Sequence, residues 1–358
     1  MHRVEPSTAT RIPRRVAEAL AAGNGLTTAN DPVAVQQLSA LHRQGRLRRL
    51  ARGIYAETDH VASLRPWERF DLASRAYLLS CGDGRFLAGW SAALPLGLPT
   101  IGAPPGLPSI SCPGDGRVRT QVGRHGRTIF GPVPTSHLRE ANGMPVTSLG
   151  WTATTIALSA SVPVALAVAD GALRRGAGMR ECLPHVEARR GAERARWVAA
   201  HASELAESPL ESLGRFAAHA GGLPLPVPNA WVGDGRPQFR VDGLWPYHWA
   251  GFEADGALKY DNRPDASRII ADQQEREWLL RRMGIDLCRF GWRLAHGDPL
   301  QLAARFAQLL AAHPPREEPI RWWKHDPLLG PVEPAPGDWP DPVSPGLPVP
   351  ERWWVDRR

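Results

Sequence analysis

Apolar positions recur along this chain in short blocks, and each change of period marks the start of a new element. Arg14 to Ala22 has helical composition and stops at Gly23. Val33 to Gln44 follows Asp31-Pro32, an N-cap and first-turn pair, and stops at Gly45. Leu47 to Leu50 and Gly53 to Ala56 read as two short strands around a basic turn. Helix, helix, basic hairpin is the layout of a winged helix-turn-helix, and it sets a first domain at residues 11–58.

Residues 65–205 follow as a mixed α/β middle region. Trp67 to Ser80 and Ala88 to Leu94 read as helices. Arg117 to Val122 and Arg127 to Phe130 are β-type runs in a Gly-, Pro- and Arg-punctuated stretch, and Arg194 to Leu205 closes the region. Ala141 to Ala169 holds no charged residue and is long enough to span a bilayer. Its Ser, Thr and Gly content and Pro163 predict instead two buried helices with a break at Ser161-Val162-Pro163.

A third unit spans residues 207–312. Ser208-Pro209-Leu210-Glu211 is an N-cap with proline in the first turn and a capping box, opening a helix to about Ala220. Two strand-like runs, Phe239 to Trp245 and Trp249 to Asp255, flank a Pro-Tyr-His turn. Then come a helix from Ala266 to Met283, a strand from Ile285 to Phe290, and a helix from Pro299 to Ala312 capped by Asp298. The order helix, hairpin, helix, strand, helix is that of a small α/β nuclease-type core. Residues 313–358 change character: twelve of these 46 residues are proline, set among Trp-Trp pairs. That composition predicts an extended tail without helix or sheet, its tryptophans packing back on the protein or meeting a partner protein.

The chemistry concentrates in the hairpin. Side chains alternate along a strand, so Glu253 and Asp255 point the same way. A turn centred near Tyr247 puts Asp242 close to opposite Glu253. Like charges so close need a proton or a cation, and carboxylate oxygens suit hard divalent ions, Mg²⁺ or Mn²⁺. Asp242 and Glu253 are thus expected as metal ligands, with Asp255 as a further ligand or water-positioning group. Lys259 would support charge at a scissile phosphate. The capping box accounts for Glu211 as a local device. In the first domain, residues 41–55 hold five arginines and no acid: Arg43, Arg46, Arg48, Arg49 and Arg52. These suit phosphate contacts, with Gln36, Gln37, Ser39 and His42 on the recognition helix. Arg276, on the later helix, suits either a nucleic-acid backbone or its helix C-terminus.

Composition changes this picture little. A net charge of +7 favours an anionic partner, with DNA the first choice, but speaks to association and not to fold. Four scattered cysteines lack zinc or redox spacing and point to a reducing compartment. The arginine-rich start lacks a secretory apolar run, so a cytoplasmic protein with no membrane association is expected.

Three stretches carry a resemblance. Glu207-Ser-Pro-Leu-Glu-Ser, Arg240-Val-Asp-Gly-Leu-Trp-Pro and Phe252-Glu-Ala-Asp-Gly-Ala-Leu-Lys-Tyr resemble the endonuclease-like domains related to very-short-patch repair, of the PD-(D/E)XK superfamily. Gly25-Leu-Thr-Thr with Gly45-Arg-Leu-Arg-Arg-Leu-Ala-Arg-Gly-Ile-Tyr is similar to the winged-helix domain of AbiEi-type antitoxins. Gly143-Met-Pro-Val-Thr-Ser resembles a middle-region motif of actinobacterial proteins that join the two. The likeness covers roughly residues 11–312. It implies an α+β multidomain protein: a winged helix, an α/β antitoxin-like middle region and a PD-(D/E)XK restriction-endonuclease-like core. It also implies that Glu211 joins Asp242, Glu253 and Asp255 at the acidic site, and that a cognate toxin is a conceivable partner.

The pattern departs from the family in places. Glu253-Ala-Asp255 replaces the superfamily's Glu-X-Lys, leaving Lys259 as the substitute. Gly243 and Gly251 replace bulkier residues and imply a looser hairpin, and Thr27 to Asp31 leaves little room for a helix. The expected activity is metal-dependent phosphodiester hydrolysis. The alternatives are a DNA-binding regulator with a silent nuclease fold, and an interaction protein acting through the tail.

Overall fold

The computed structural model describes residues 12–28, 35–256, 266–343 and 349–354, with side chains of 266–272 left aside. Asp31-Pro32 and Lys259 therefore lie outside the described residues. The chain is a mixed α/β multidomain protein of two compact units, 1–148 and 149–358. The boundary falls inside the expected 65–205 region, whose strands belong to the first unit and whose alanine-rich helices belong to the second.

The first unit begins with α1 (Arg14–Ala22), β1 (Thr27–Thr28), α2 (Val35–Arg43), β2 (Leu47–Ala51) and β3 (Ile54–Glu57). The strands form a small sheet in the order β1-β3-β2, so Thr27 and Thr28 pair with Tyr55 and Ile54. Val16, Leu20, Leu38, Leu41, Leu47 and Tyr55 make its core. Their spacing on α1 and α2 is the helical stripe that the sequence shows. α3 (Thr58–Ser63) and α4 (Pro66–Cys81) follow. Leu72 and Ala76 of α4 pack on Ala51, Ile54 and Ala56, so α4 backs the β2–β3 hairpin.

The rest of the unit is a six-stranded mixed sheet built from β4 (Phe86–Leu87), β5 (Ser109–Pro113), β6 (Arg119–Val122), β7 (Arg127–Gly131), β8 (Leu138–Ala141) and β9 (Met144–Thr147). The short helix α5 (Trp90–Ala93) precedes β5, and the strand order is β6-β7-β5-β4-β9-β8.

The second unit opens with α6 (Leu149–Ala157) and α7 (Val162–Leu173), broken as expected at Ser161. Val162 to Ala172 are all buried, which explains the uncharged run. α8 (Ala192–His201) and α9 (Pro209–Ala220) follow. A buried ionic link ties α7 to α9. The Asp170 carboxylate, 1% exposed, accepts from the Arg215 guanidinium at 2.8 Å, the Ser212 hydroxyl at 2.7 Å and the Ser203 N–H at 2.7 Å. Burial pushes the Asp170 carboxyl upward, and Arg215 leads the groups that pull it back.

A second six-stranded sheet contains β10 (Val227–Val232), β11 (Phe239–Trp245), β12 (Ala250–Ala254), β13 (Asp286–Phe290), β14 (Trp322–Asp326) and β15 (Gly330–Val332). Its order is β13-β12-β11-β10-β14-β15, with β12 and β13 parallel. The helices α10 (Ala266–Arg282), α11 (Trp292–Gly297) and α12 (Pro299–Ala312) complete the unit. One apolar cluster joins α9 and α12 to Trp245, Phe252 and Phe290, and another joins Leu280 of α10 to Val241, Leu244 and Ile285. All five positions of β12 are buried, as in a strand sandwiched between helix layers.

Two expectations need correction. The tail from His313 is not free of sheet. Trp322 and Trp323 lie in β14 and pair with Val232 and Trp231, and they are 1% and 5% exposed. Prolines flank this run without entering it, and tryptophan favours a half-buried pleated surface. Nor do the two hairpin glycines loosen the sheet. A Cβ on Gly243 would stand 2.2 Å from the Phe252 ring, and one on Gly251 2.7 Å from the Gly243 carbonyl, so neighbours fill both spaces.

Candidate acidic centre and basic hairpin

β11 and β12 join through one tight helical turn, Pro246–His248, and Trp249 takes a left-handed backbone (φ 51°) to re-enter the sheet. The pairs Gly243↔Phe252, Leu244↔Gly251 and Trp245↔Ala250 fix the register, so Asp242 stands opposite Glu253 as the turn predicts. Beyond Phe252 the ladder gives way. The Asp242 carboxylate accepts the Ala254 N–H at 2.7 Å, taking a place that a backbone carbonyl would fill in a regular strand. On the other side, β10 pairs with β11 at Pro228↔Gly243 and Ala230↔Val241 but skips the step between them. Asn229 there has φ 50°. This local irregularity lets the Asp242 side chain turn to the edge of the ladder.

Glu253 is 5% exposed, and among the described residues its charge is paired with Arg276. The Arg276 guanidinium grips both carboxylate oxygens, at 2.7 and 3.0 Å, and also donates to the Arg240 carbonyl. Burial works against the Arg276 charge. Hydrogen bonds to Glu253 and the charges of Glu253, Asp242 and Asp255 outweigh it and hold its pKa above the ordinary arginine value. The charges of all three carboxylates thus act on one arginine, which Glu253 grips directly. Asp255 also accepts from Arg289 at 3.2 Å. Arg276, expected to serve either a nucleic-acid backbone or its helix C-terminus, is instead paired with Glu253. Sequence offered no sign of this grip, because 23 residues separate the partners.

Glu211 lies on α9, 6% exposed. Ser208 caps the helix, accepting the Glu211 N–H at 3.2 Å. The Glu211 carboxylate does not close the box on Ser208 but accepts the Glu207 N–H at 2.8 Å and the Asn229 amide at 2.6 Å. Burial raises its pKa above the usual carboxylate range, against bonds to Ser208, Glu207 and Asn229. Asn229 thus links Glu211 to the skipped step beside Asp242, a role no motif announced.

Next to it, Arg240 holds Glu207 with two bonds of 2.6 and 2.7 Å. The His325 ring, from β14, stands 3.2 Å from Arg240 and accepts from the Trp231 indole at 3.2 Å. Hard oxygen donors of this kind suit Mg²⁺ or Mn²⁺, and Asp242 with Glu253 is the fitting pair, provided that Glu253 exchanges Arg276 for the ion. Among the described residues no group of three or more His, Cys, Asp or Glu side chains is placed to hold a metal ion.

No family model matches the chain. Two uncharacterized proteins of Mycobacterium tuberculosis, from strains CDC 1551 / Oshkosh and H37Rv, are similar to it. Each is 30% identical over 186 residues, covering 49% of this chain and 65% of the relative. The match therefore spans less than two thirds of the length of the curated relatives. Neither name states an activity.

In the first unit the arginines of the β2–β3 region are presented to solvent. Arg43, Arg48, Arg49 and Arg52 are exposed and Arg46 is half-buried. Arg49 donates to the Ala51 carbonyl at 3.3 Å. Gln37, on α2, is half-buried, while Gln36 and His42 are exposed. No ion pair among the described residues involves any of these arginines. Among the described residues no helix is long and apolar enough to cross a membrane.

Proposed function

We propose that this chain is a DNA-associated protein with a winged helix-turn-helix of AbiEi antitoxin type in its first unit and a PD-(D/E)XK-like core in its second. The acidic centre of that core hydrolyses phosphodiesters with Mg²⁺ or Mn²⁺. The observation that carries this reading is the cross-strand placement of Asp242 opposite Glu253, with Asp255 two residues on and all three acting on one arginine. Carboxylates are depleted from strands, and three fall within residues 239–255.

Asp242 and Glu253 would hold the ion, and Glu211 sets the Asn229 side of the centre. When bound, such an ion would supply an activated water and charge neutralisation at the phosphate. Arg276, once released from Glu253, is a cation already beside the acids and can meet the phosphate.

A specific observation favours a second reading. The two-toothed Arg276–Glu253 pair satisfies the centre without a metal, as a silent nuclease fold serving a DNA-binding regulator would have it. Cleavage of plasmid and mismatched duplex DNA with Mg²⁺ or Mn²⁺ separates the two. Nicking that disappears with EDTA and in Asp242→Ala and Glu253→Ala is the expected result. Intact DNA in every condition, with salt-sensitive binding untouched by either substitution, would leave only the silent fold.

A further inference from the structure

A second basic element lies outside the residues assigned a functional role above. β6 is the edge strand of its sheet, pairs only with β7, and is exposed at all four positions, Arg119 to Val122. It adds little to a core beyond the Arg119 guanidinium, which lies 3.9 Å from the centre of the Phe130 ring. From Gly116 to Arg139 the sequence has no acid. Arg117, Arg119 and Arg124 are exposed, and no ion pair among the described residues involves them, whereas Arg65, Arg75, Arg240 and Arg276 all have acid partners.

One helix fixes this ribbon relative to the β2–β3 hairpin. α4 carries the hairpin on Leu72 and Ala76. One residue further, the Tyr77 hydroxyl bonds the Thr128 hydroxyl of β7 at 2.9 Å. A Cβ on Gly126 would stand 2.3 Å from the Tyr77 ring, so the β6–β7 turn lies directly on α4. The turn thereby reaches β2. Burial, then Arg124, then Arg49 hold the His125 pKa below the ordinary imidazole value, with the Leu50 backbone acting the other way. α4 therefore holds two arginine-bearing hairpins side by side in one unit. No ion pair among the described residues involves Arg48, Arg49, Arg117, Arg119 or Arg124, which favours an anionic partner there.

We propose that the β6–β7 ribbon and the β2–β3 hairpin form one two-part surface for the phosphate backbone of duplex DNA, the ribbon supplying Arg117, Arg119 and Arg124. This rests on the DNA-binding part of the function proposed above and extends it to a segment that the winged-helix layout does not include. Duplex DNA fits because two hairpins held at fixed spacing by a helix match a rigid phosphate array, and a two-stranded ribbon has the width of a major groove.

The test is fluorescence anisotropy on a mixed-sequence duplex across a salt series. It compares the wild type with R117Q/R119Q/R124Q, with the single Arg124→Gln and with the hairpin variant R48Q/R49Q. Each lost phosphate contact removes about 0.9 from the slope of log affinity against log salt. The triple variant is expected to lose roughly 2–3 from that slope and at least about tenfold in affinity near 0.1 M salt, with an unchanged melting temperature; the single variant loses about 1. Wild-type affinity and slope in the triple variant, beside a loss in R48Q/R49Q, overturns the ribbon and leaves the DNA reading standing. A wild type that ignores duplex DNA overturns both. Binding to phosphatidylserine vesicles that the triple variant abolishes would then give the patch to a membrane surface.

Discussion

Glu253 and Arg276 show how much one pair can decide. A buried carboxylate gripped at two points is costly to strand, because removing the partner leaves an uncompensated charge. Arg276→Ala is expected to lower unfolding free energy by about 3 kcal/mol, and the Glu253→Ala/Arg276→Ala double variant to lose less than the two singles combined, as urea titration would show. His219 gives a second prediction at this scale. It is 3% exposed, and its ring is 4.8 Å from that of His201 and 5.0 Å from that of Trp197. Burial, then His201 and Arg215, push its pKa down to about 3. The unfolded chain binds this proton near pH 6.5 and the folded chain does not. Stability is therefore full above about pH 6.5 and falls as the pH drops toward 3, by up to about 1.4 kcal/mol per unit. His219→Phe should flatten the melting temperature between about pH 6.5 and 5 relative to wild type. The register of Asp242 and Glu253 was legible because a short turn and strict alternation leave few choices. Arg276, Asn229 and His325 were not, since their partners come from elements distant in the chain.

At the scale of elements, helices with caps and stop signals were read closely. α1 matches its expected bounds, α12 begins after the Asp298 cap, and the α6–α7 break falls at Ser161. Short strands escaped notice. β4, β8 and β9 are two to four residues long and have too few positions to show a period. β10 was missed because Pro228 and Asn229 interrupt its pattern. β14 was hidden by composition, since prolines around it suggested a tail. Trp322 is among the largest fully buried side chains, so Trp322→Ala is expected to cost about 3–5 kcal/mol in thermal or urea unfolding. A tail without structure would lose nothing. Gly243→Ala makes the opposite kind of change. Its methyl would meet the Phe252 ring, and a loss of about 1–3 kcal/mol is expected; a neutral result would mean that the ring can move aside.

At the scale of the whole molecule, sequence distinguished a mixed α/β multidomain chain and its basic balance. The grouping of residues 149–205 with the second unit depends on Asp170 meeting Ser212 and Arg215 across more than forty positions, which local periodicity does not carry. The strand order of the second sheet has a consequence for how the chain is made. β10 has β14 as its neighbour, and 94 residues separate Trp231 from His325. On a ribosome, β10 to β13 are synthesised well before that neighbour exists, leaving one side of β10 with unpaired backbone groups. For that interval the nascent chain carries an adhesive border that only its own later tryptophan strand can seal, making this unit a natural client for chaperones during synthesis.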